Sequence, residues 1–221
     1  MTTAVMGVGE LQGLWRRSLI AWPGRNSDTT TTVRWLQGPS AYVDMRQPVP
    51  RPDFSHARSL NDLTLEDCLW LAHQEGFAGD LTFAGTYFEW HREIDFQPRA
   101  ARPDSGSLHW DGNVLIETGH YSDYIEHWHR DPTIPNTPAN VIDGPRNKLL
   151  RVGPYFMFAR DRAVRLETGY SSLAEYVTAA RDVERARELI DCEISFGEIR
   201  QEGLHITAST LPYRVGTLLE L

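Results

Sequence analysis

Positive charge is scarce in this chain: 22 Lys and Arg face 30 Asp and Glu, a formal net charge of -8 over 221 residues. A field of that sign repels polyanions, and an extended nucleic-acid groove would need clustered Lys and Arg, so no nucleic-acid partner is expected. Cysteine is scarcer still. Cys68 and Cys192 are the only two, and neither has a Cys or His nearby at zinc-finger spacing, which leaves two reduced, packed thiols as the expectation. No window approaches the roughly 20 apolar residues of a membrane helix. The stretch from Met1 to Glu10 lacks a basic region followed by an apolar segment, so the chain is expected in the cytoplasm with no membrane partner. A glycine-rich phosphate loop, a G-x-S-x-G elbow and an H-E-x-x-H helix are all missing, and no cofactor is expected.

What is present is the grammar of an all-β fold. Charged residues make up 24% and hydrophobic ones 41%, enough apolar material for a sizeable core, and all-β barrels often run beyond the usual domain length, so residues 1–221 read as a single domain. Short runs rich in Val, Ile, Thr, Tyr, Phe and Trp are separated by Gly, Pro, Asn and Asp. Strands are expected at Leu14 to Ile20, Thr30 to Gln37, Ala41 to Arg46, Gly85 to Phe96, Val114 to Thr118 and Tyr121 to His129. More follow at Gly153 to Arg160, Ala163 to Thr168, Cys192 to Ile199, Leu204 to Ser209 and Tyr213 to Leu219. One helix is expected to start on a capping box at Thr64 and Asp67, place Leu65, Leu69 and Ala72 on one face, stop at Gly76 and brace one barrel end. A second should open at Ser172 and Glu175 and run on through Val183. The segment from Asp131 to Arg146 holds Pro132, Pro135, Pro138 and Pro145 and reads as a long surface loop able to form a lid. About ten antiparallel strands with two accessory helices are most economically closed into a β-barrel, because closure removes exposed edges.

Alternation within the strands carries the functional information, since residues two apart share a face. Val33, Trp35 and Gln37 fall together, as do Tyr42, Asp44 and Arg46, then Trp90, Arg92, Ile94 and Phe96, then Tyr124, Glu126, Trp128 and Arg130. Tryptophan thus recurs beside charge. Three placements compete: charges that satisfy one another inside a barrel filled by its own side chains, an aromatic cavity with a few placed polar groups, and an outward placement of the whole set if the faces are shifted by one residue. In either inward placement each charge needs a partner, and the pairs expected are Arg92 with Glu126 and Asp44 with Arg46. His120, His127 and His129 lie close together, but His127 and His129 alternate with the inward set and are expected exposed and unliganded, so no metal is expected.

Trp15-Arg16-Arg17, Val33 to Gln37, Tyr42 to Arg46, Gly76 to Gly79, Trp90-His91-Arg92, Asp104-Ser105-Gly106, the Glu117 to Arg130 strand and Ser209 to Pro212 together span nearly the whole chain. In these pieces it resembles a calycin-like family, typified by a yeast casein-kinase-interacting protein and including bacterial members of unknown function. That resemblance implies a lipocalin-like or fatty-acid-binding-like barrel with an internal cavity, and implies no reaction. The leading expectation is therefore a small-molecule-binding barrel. Trp35, Gln37, Arg46, Trp90, Arg92, Trp128 and Arg130 are the candidate binding residues for a small organic ligand. A cofactor-free lyase, hydratase or isomerase with Asp44 or Glu126 as acid or base is the second, and a protein-interaction module working through the proline-rich loop or a sheet edge is the third. A homodimer is compatible with all three.

Overall fold

A computed structural model describes residues 6–134, 138–167 and 169–220. Eight antiparallel strands close a barrel in chain order: β1 (Gly13–Ala21), β2 (Thr32–Gln37), β3 (Ala41–Gln47), β4 (Glu75–Phe83), β5 (Phe88–Asp95), β6 (Asp104–Asp111), β7 (Val114–Gly119) and β8 (Ile125–Arg130), with β8 returning to β1. Five further strands, β9 (Ala139–Gly144), β10 (Asn147–Val152), β11 (Tyr155–Arg160), β12 (Glu193–Arg200) and β13 (Gly203–Ser209), form a second antiparallel sheet in the order β13-β12-β11-β10-β9. Three short helices are described, α1 (Leu65–Leu71), α2 (Leu173–Thr178) and α3 (Val183–Ile190). Among the described residues no helix is long and apolar enough to cross a membrane.

The two-residue alternation sorts the barrel's side chains into two cores. Trp15, Val33, Trp35, Tyr42, Phe77, Trp90, Leu115 and Trp128 point inward and cluster inside the barrel. Leu36, Val43, Met45 and Ala78 point outward and join Leu150, Met157, Ile194 and Phe196 of the second sheet, and Leu71, Leu173 and Leu189 of the helices, in one outer core. β3 is therefore buried on both faces, which is why Ala41, Tyr42, Val43, Asp44 and Met45 are all buried in succession. The ring is not evenly sewn. The ladder between β1 and β2 runs for three residue pairs, and so does the one between β5 and β6, whereas β4 and β5 pair over seven.

Several expected elements differ. β4, β6, β9 and β10 are not among the expected strands. β4 carries Gly76, read as a helix stop, yet a Cβ there would lie 3.0 Å from both the Asp44 carbonyl oxygen and an Ile194 side-chain carbon. That glycine lets a barrel strand approach its neighbours closely. β9 occupies the segment expected as loop because Pro138 and Pro145 flank it without interrupting it, and it pairs as an edge strand with β10. No strand forms over Ala163 and its successors, since β11 already spends both edges on β10 and β12. Tyr213 to Leu219 holds a short 3-10 turn and a single bridge from Leu218 to His205. The second helix is divided where Asp182 caps α3 by accepting from the Arg185 amide. The Thr64–Asp67 capping box is present, but α1 packs through Cys68 and Leu71 into the outer core and braces no barrel end. Met1 to Val5, Pro135 and Thr168 lie outside the described residues.

Candidate functional site

Four indoles fill the middle of the barrel. Trp35 stacks on Trp15 at 5.5 Å and meets Trp128 and Trp90 edge-on at 5.3 and 6.0 Å. Each buried indole N–H has an acceptor where one is needed: Trp15 donates to the Leu11 carbonyl, Trp35 to the Gln37 amide oxygen and Trp128 to Glu117 Oε2. Gln37 in turn donates to the carbonyls of Gly38 and Ser40, so its amide ties the β2–β3 turn to the indole. The space left among Trp35, Asp44, Arg46, Phe77, Trp90, Asp104, Glu117 and Trp128 is about 10 Å³. That is room for about one water molecule.

Charge enters this interior in two groups. In the first, Glu126, 2% exposed, accepts from Arg17 at 2.5 Å and lies 3.4 Å from Arg46, whose Nε donates to Asp44 at 2.9 Å; Arg17 also faces Asp28 at 3.5 Å. In the second, Arg92 donates to Asp104 at 2.6 Å and to Asp95 at 3.1 Å and covers the Phe77 ring at 3.5 Å. The expected Asp44–Arg46 pair is present. The expected Arg92–Glu126 pair is not, because each ion has nearer partners on its own side of the ring. A bulge also corrects the expected face of β5: Arg92 pairs Gly79 while Ile94 pairs Ala78. Past that bulge the faces exchange, so Ile94 and Phe96 enter the outer core and Asp95 turns toward Arg92. Arg130 sits at the barrel end, 4.6 Å over Trp15, with its guanidinium on the Glu10 carbonyl.

Glu117 holds the least conventional carboxyl. It is 4% exposed and lies directly opposite Glu126 across the β7–β8 ladder. Two carboxylates cannot both ionise cheaply at that separation from water. Glu126 has the arginines. Burial, with Glu126 and Asp104 adding their charge, pushes Glu117 well above the ordinary carboxyl range, and its oxygens accept from the Tyr124 hydroxyl at 2.7 Å and the Trp128 indole at 3.1 Å. Burial raises Asp44 as well against the pull of Arg46, and raises Asp95 to about 6 against that of Arg92.

A raised carboxyl binds its proton more tightly folded than unfolded, so its contribution to stability is whole below the unfolded value and is lost as pH climbs through the folded one. Glu117→Gln keeps an amide oxygen to accept from Trp128 and removes the titrating proton. Its stability relative to the parent is expected to rise steadily from about pH 4.5 upward, as read from urea midpoints across pH. Parallel pH profiles for the two proteins would show that Glu117 ionises normally.

The histidines lie on the outside, with His129 Nε2 2.9 Å from the Ser18 hydroxyl and His120 stacked on Tyr87 at 4.4 Å. Among the described residues no group of three His, Cys, Asp or Glu is placed to hold a metal ion. Of the candidates from sequence, Trp35, Asp44, Arg46, Trp90, Arg92, Glu126 and Trp128 do meet inside the barrel. Sequence reasoning missed Trp15, Arg17, Asp104 and Glu117 as members of the site. The Trp15–Arg17 spacing on β1 repeats the signal used for the other strands and could have found the first two.

No protein-family model matches the chain, and no curated protein matches it either. Among solved structures it is similar to the uncharacterized protein YLR301w from Saccharomyces cerevisiae, with a TM-score of 0.50 at 12% identity over 89% of this chain and 84% of that one. The likeness is one of fold. It supports the all-β antiparallel barrel architecture and carries no activity with it.

Proposed function

We propose that the protein is a cytoplasmic, calycin-like small-molecule-binding barrel whose ligand docks where the β5–β6 ladder stops. The observation that carries this reading is a crevice of about 360 Å³ at that point, lined by Trp90, Arg92, Asp95, Asp104 and Ser122. Trp90 and Asp104 also border the small interior space, so one wall serves both. The volume suits a small organic ligand, for which Trp90 supplies apolar contact and Arg92 an oriented donor. Trp35 backs the Trp90 ring edge-on at 6.0 Å, with Trp128 against Trp35 in turn, and the buried Tyr42 hydroxyl, which has no partner among the described residues, is a further donor on the inner side.

The test is a small-molecule screen followed by tryptophan fluorescence. Ligands of this crevice are expected to lose their fluorescence response in Trp90→Phe and to bind about tenfold more weakly in Arg92→Gln. Ligands indifferent to both substitutions would remove the crevice from consideration.

A second reading, a cofactor-free lyase, hydratase or isomerase, is favoured by one observation: a buried carboxyl at Asp44 raised toward neutrality beside Arg46. In that reading Asp44 exchanges the proton and Glu126 orients the arginines. Asp44→Asn would abolish turnover on any substrate found while leaving its binding intact.

A further inference from the structure

A crevice of about 590 Å³ lies away from the barrel interior, between the chain following β5 and the segment between β11 and α2. Its charges are unevenly matched. Of its four carboxylates, Glu93 is paired with Lys148 at 3.2 Å, Asp95 with Arg92 at 3.1 Å and Asp161 with Arg146 at 4.0 Å, all cations from outside the crevice lining. Glu167 is left. Of its three guanidiniums, none has a carboxylate within 4.0 Å among the described residues. Arg99 donates to the Glu93 carbonyl and Arg162 to the Phe96 carbonyl, and Arg165 makes neither kind of bond among the described residues.

Arg162 is the telling member. Its side chain is 4% exposed, its charge reaches Asp95 without bonding it, and its Nε has no hydrogen-bond partner among the described residues. A buried guanidinium left with an open N–H is costly unless an acceptor arrives. Arg99 and Arg165 stand exposed at the rim above it. The wall beyond them is aromatic: Tyr176, its hydroxyl held by the Glu167 carbonyl, meets Tyr170 edge-on at 4.9 Å, and Tyr170 is 48% exposed.

We propose that this crevice is a second ligand site, built for a small aromatic phosphate monoester. The dianionic phosphate bonds Arg162 at the floor, with Arg99 and Arg165 closing on it from the rim, and the ring lies against Tyr170. Three guanidiniums against one uncompensated carboxylate select a dianion over a monoanion, and planar forked donors match phosphate oxygens.

Calorimetric titration of the full chain with phenyl phosphate, inorganic phosphate and benzoate tests this. Phenyl phosphate is expected to bind the most tightly of the three, and Arg165→Gln, which alters an exposed residue, is expected to weaken it about tenfold. Arg99→Gln should act in the same direction. Trp90→Phe, which changes a residue outside this crevice's lining, should leave the affinity unchanged, so the two sites stand or fall separately. No heat with phenyl phosphate, affinity equal to that of benzoate or inorganic phosphate, or affinity indifferent to both rim substitutions would each overturn the proposal.

Discussion

Replacing Trp35 with alanine is expected to remove about 3–5 kcal/mol of folding stability, the upper range for truncation of a large core side chain. The size follows from what surrounds it. Trp35 is 2% exposed and touches three other indoles, whose flat, rigid rings cannot slump into the space it leaves. The adjoining gap is already only about 10 Å³, so the cavity in the variant is essentially the lost side chain itself. Urea unfolding of Trp35→Ala measures the loss, and added indole is expected to restore part of it by occupying the cavity. A loss below about 1 kcal/mol would mean that the interior is a loose pocket and that the indoles do not hold the barrel's centre.

Glu126→Leu is expected to cost about 3 kcal/mol, for an electrostatic reason. Glu126 is the point at which Arg17 and Arg46 converge, at 2.5 and 3.4 Å. Removing its charge leaves two guanidiniums facing each other in a site where their side chains are 6% and 17% exposed. Each keeps one other carboxylate, Asp28 or Asp44, and this holds the loss to the lower end of what breaking a buried pair costs. The double variant Arg17→Met with Glu126→Leu is expected to recover most of the stability, because an apolar pair of similar volume needs no compensation. If the double variant is no more stable than Glu126→Leu alone, Arg17 is not the partner that matters.

Much of the barrel interior was legible in the residues. Trp35 beside Gln37, Asp44 beside Arg46 and Glu126 beside Trp128 sit on the faces that their spacing implied, because in an uninterrupted strand the period of two is enforced by the backbone itself. β5 shows where such reading ends. Its Trp90–Arg92 spacing holds, and then one extra residue reverses Ile94, Asp95 and Phe96; nothing in the residue types announces that reversal, which is set by how Gly79 of the neighbouring strand accepts a close approach. Partner choice was likewise out of reach. Arg92 and Glu126 face the same interior, but which carboxylate an arginine finds depends on strand order around the ring, and β6, which carries Asp104, was not visible as a strand. The Glu117–Glu126 opposition is a matter of register, and register is decided by turns and by the second strand as much as by the first.

The two short ladders have a mechanical meaning. They lie on opposite sides of the ring, so the barrel is two four-stranded shells, β2 to β5 and β6 to β1, that are strongly knit within themselves and lightly stitched to each other. Two ion pairs cross between the shells: Arg46 reaches from one to Glu126 of the other, and Arg92 from the first to Asp104 of the second. Where the backbone stops fastening the shells together, side-chain charge takes over. Substitutions that remove those two contacts, which spare backbone hydrogen bonds, should therefore part the barrel along its length before any single strand unravels, like a clamshell opening on its hinge.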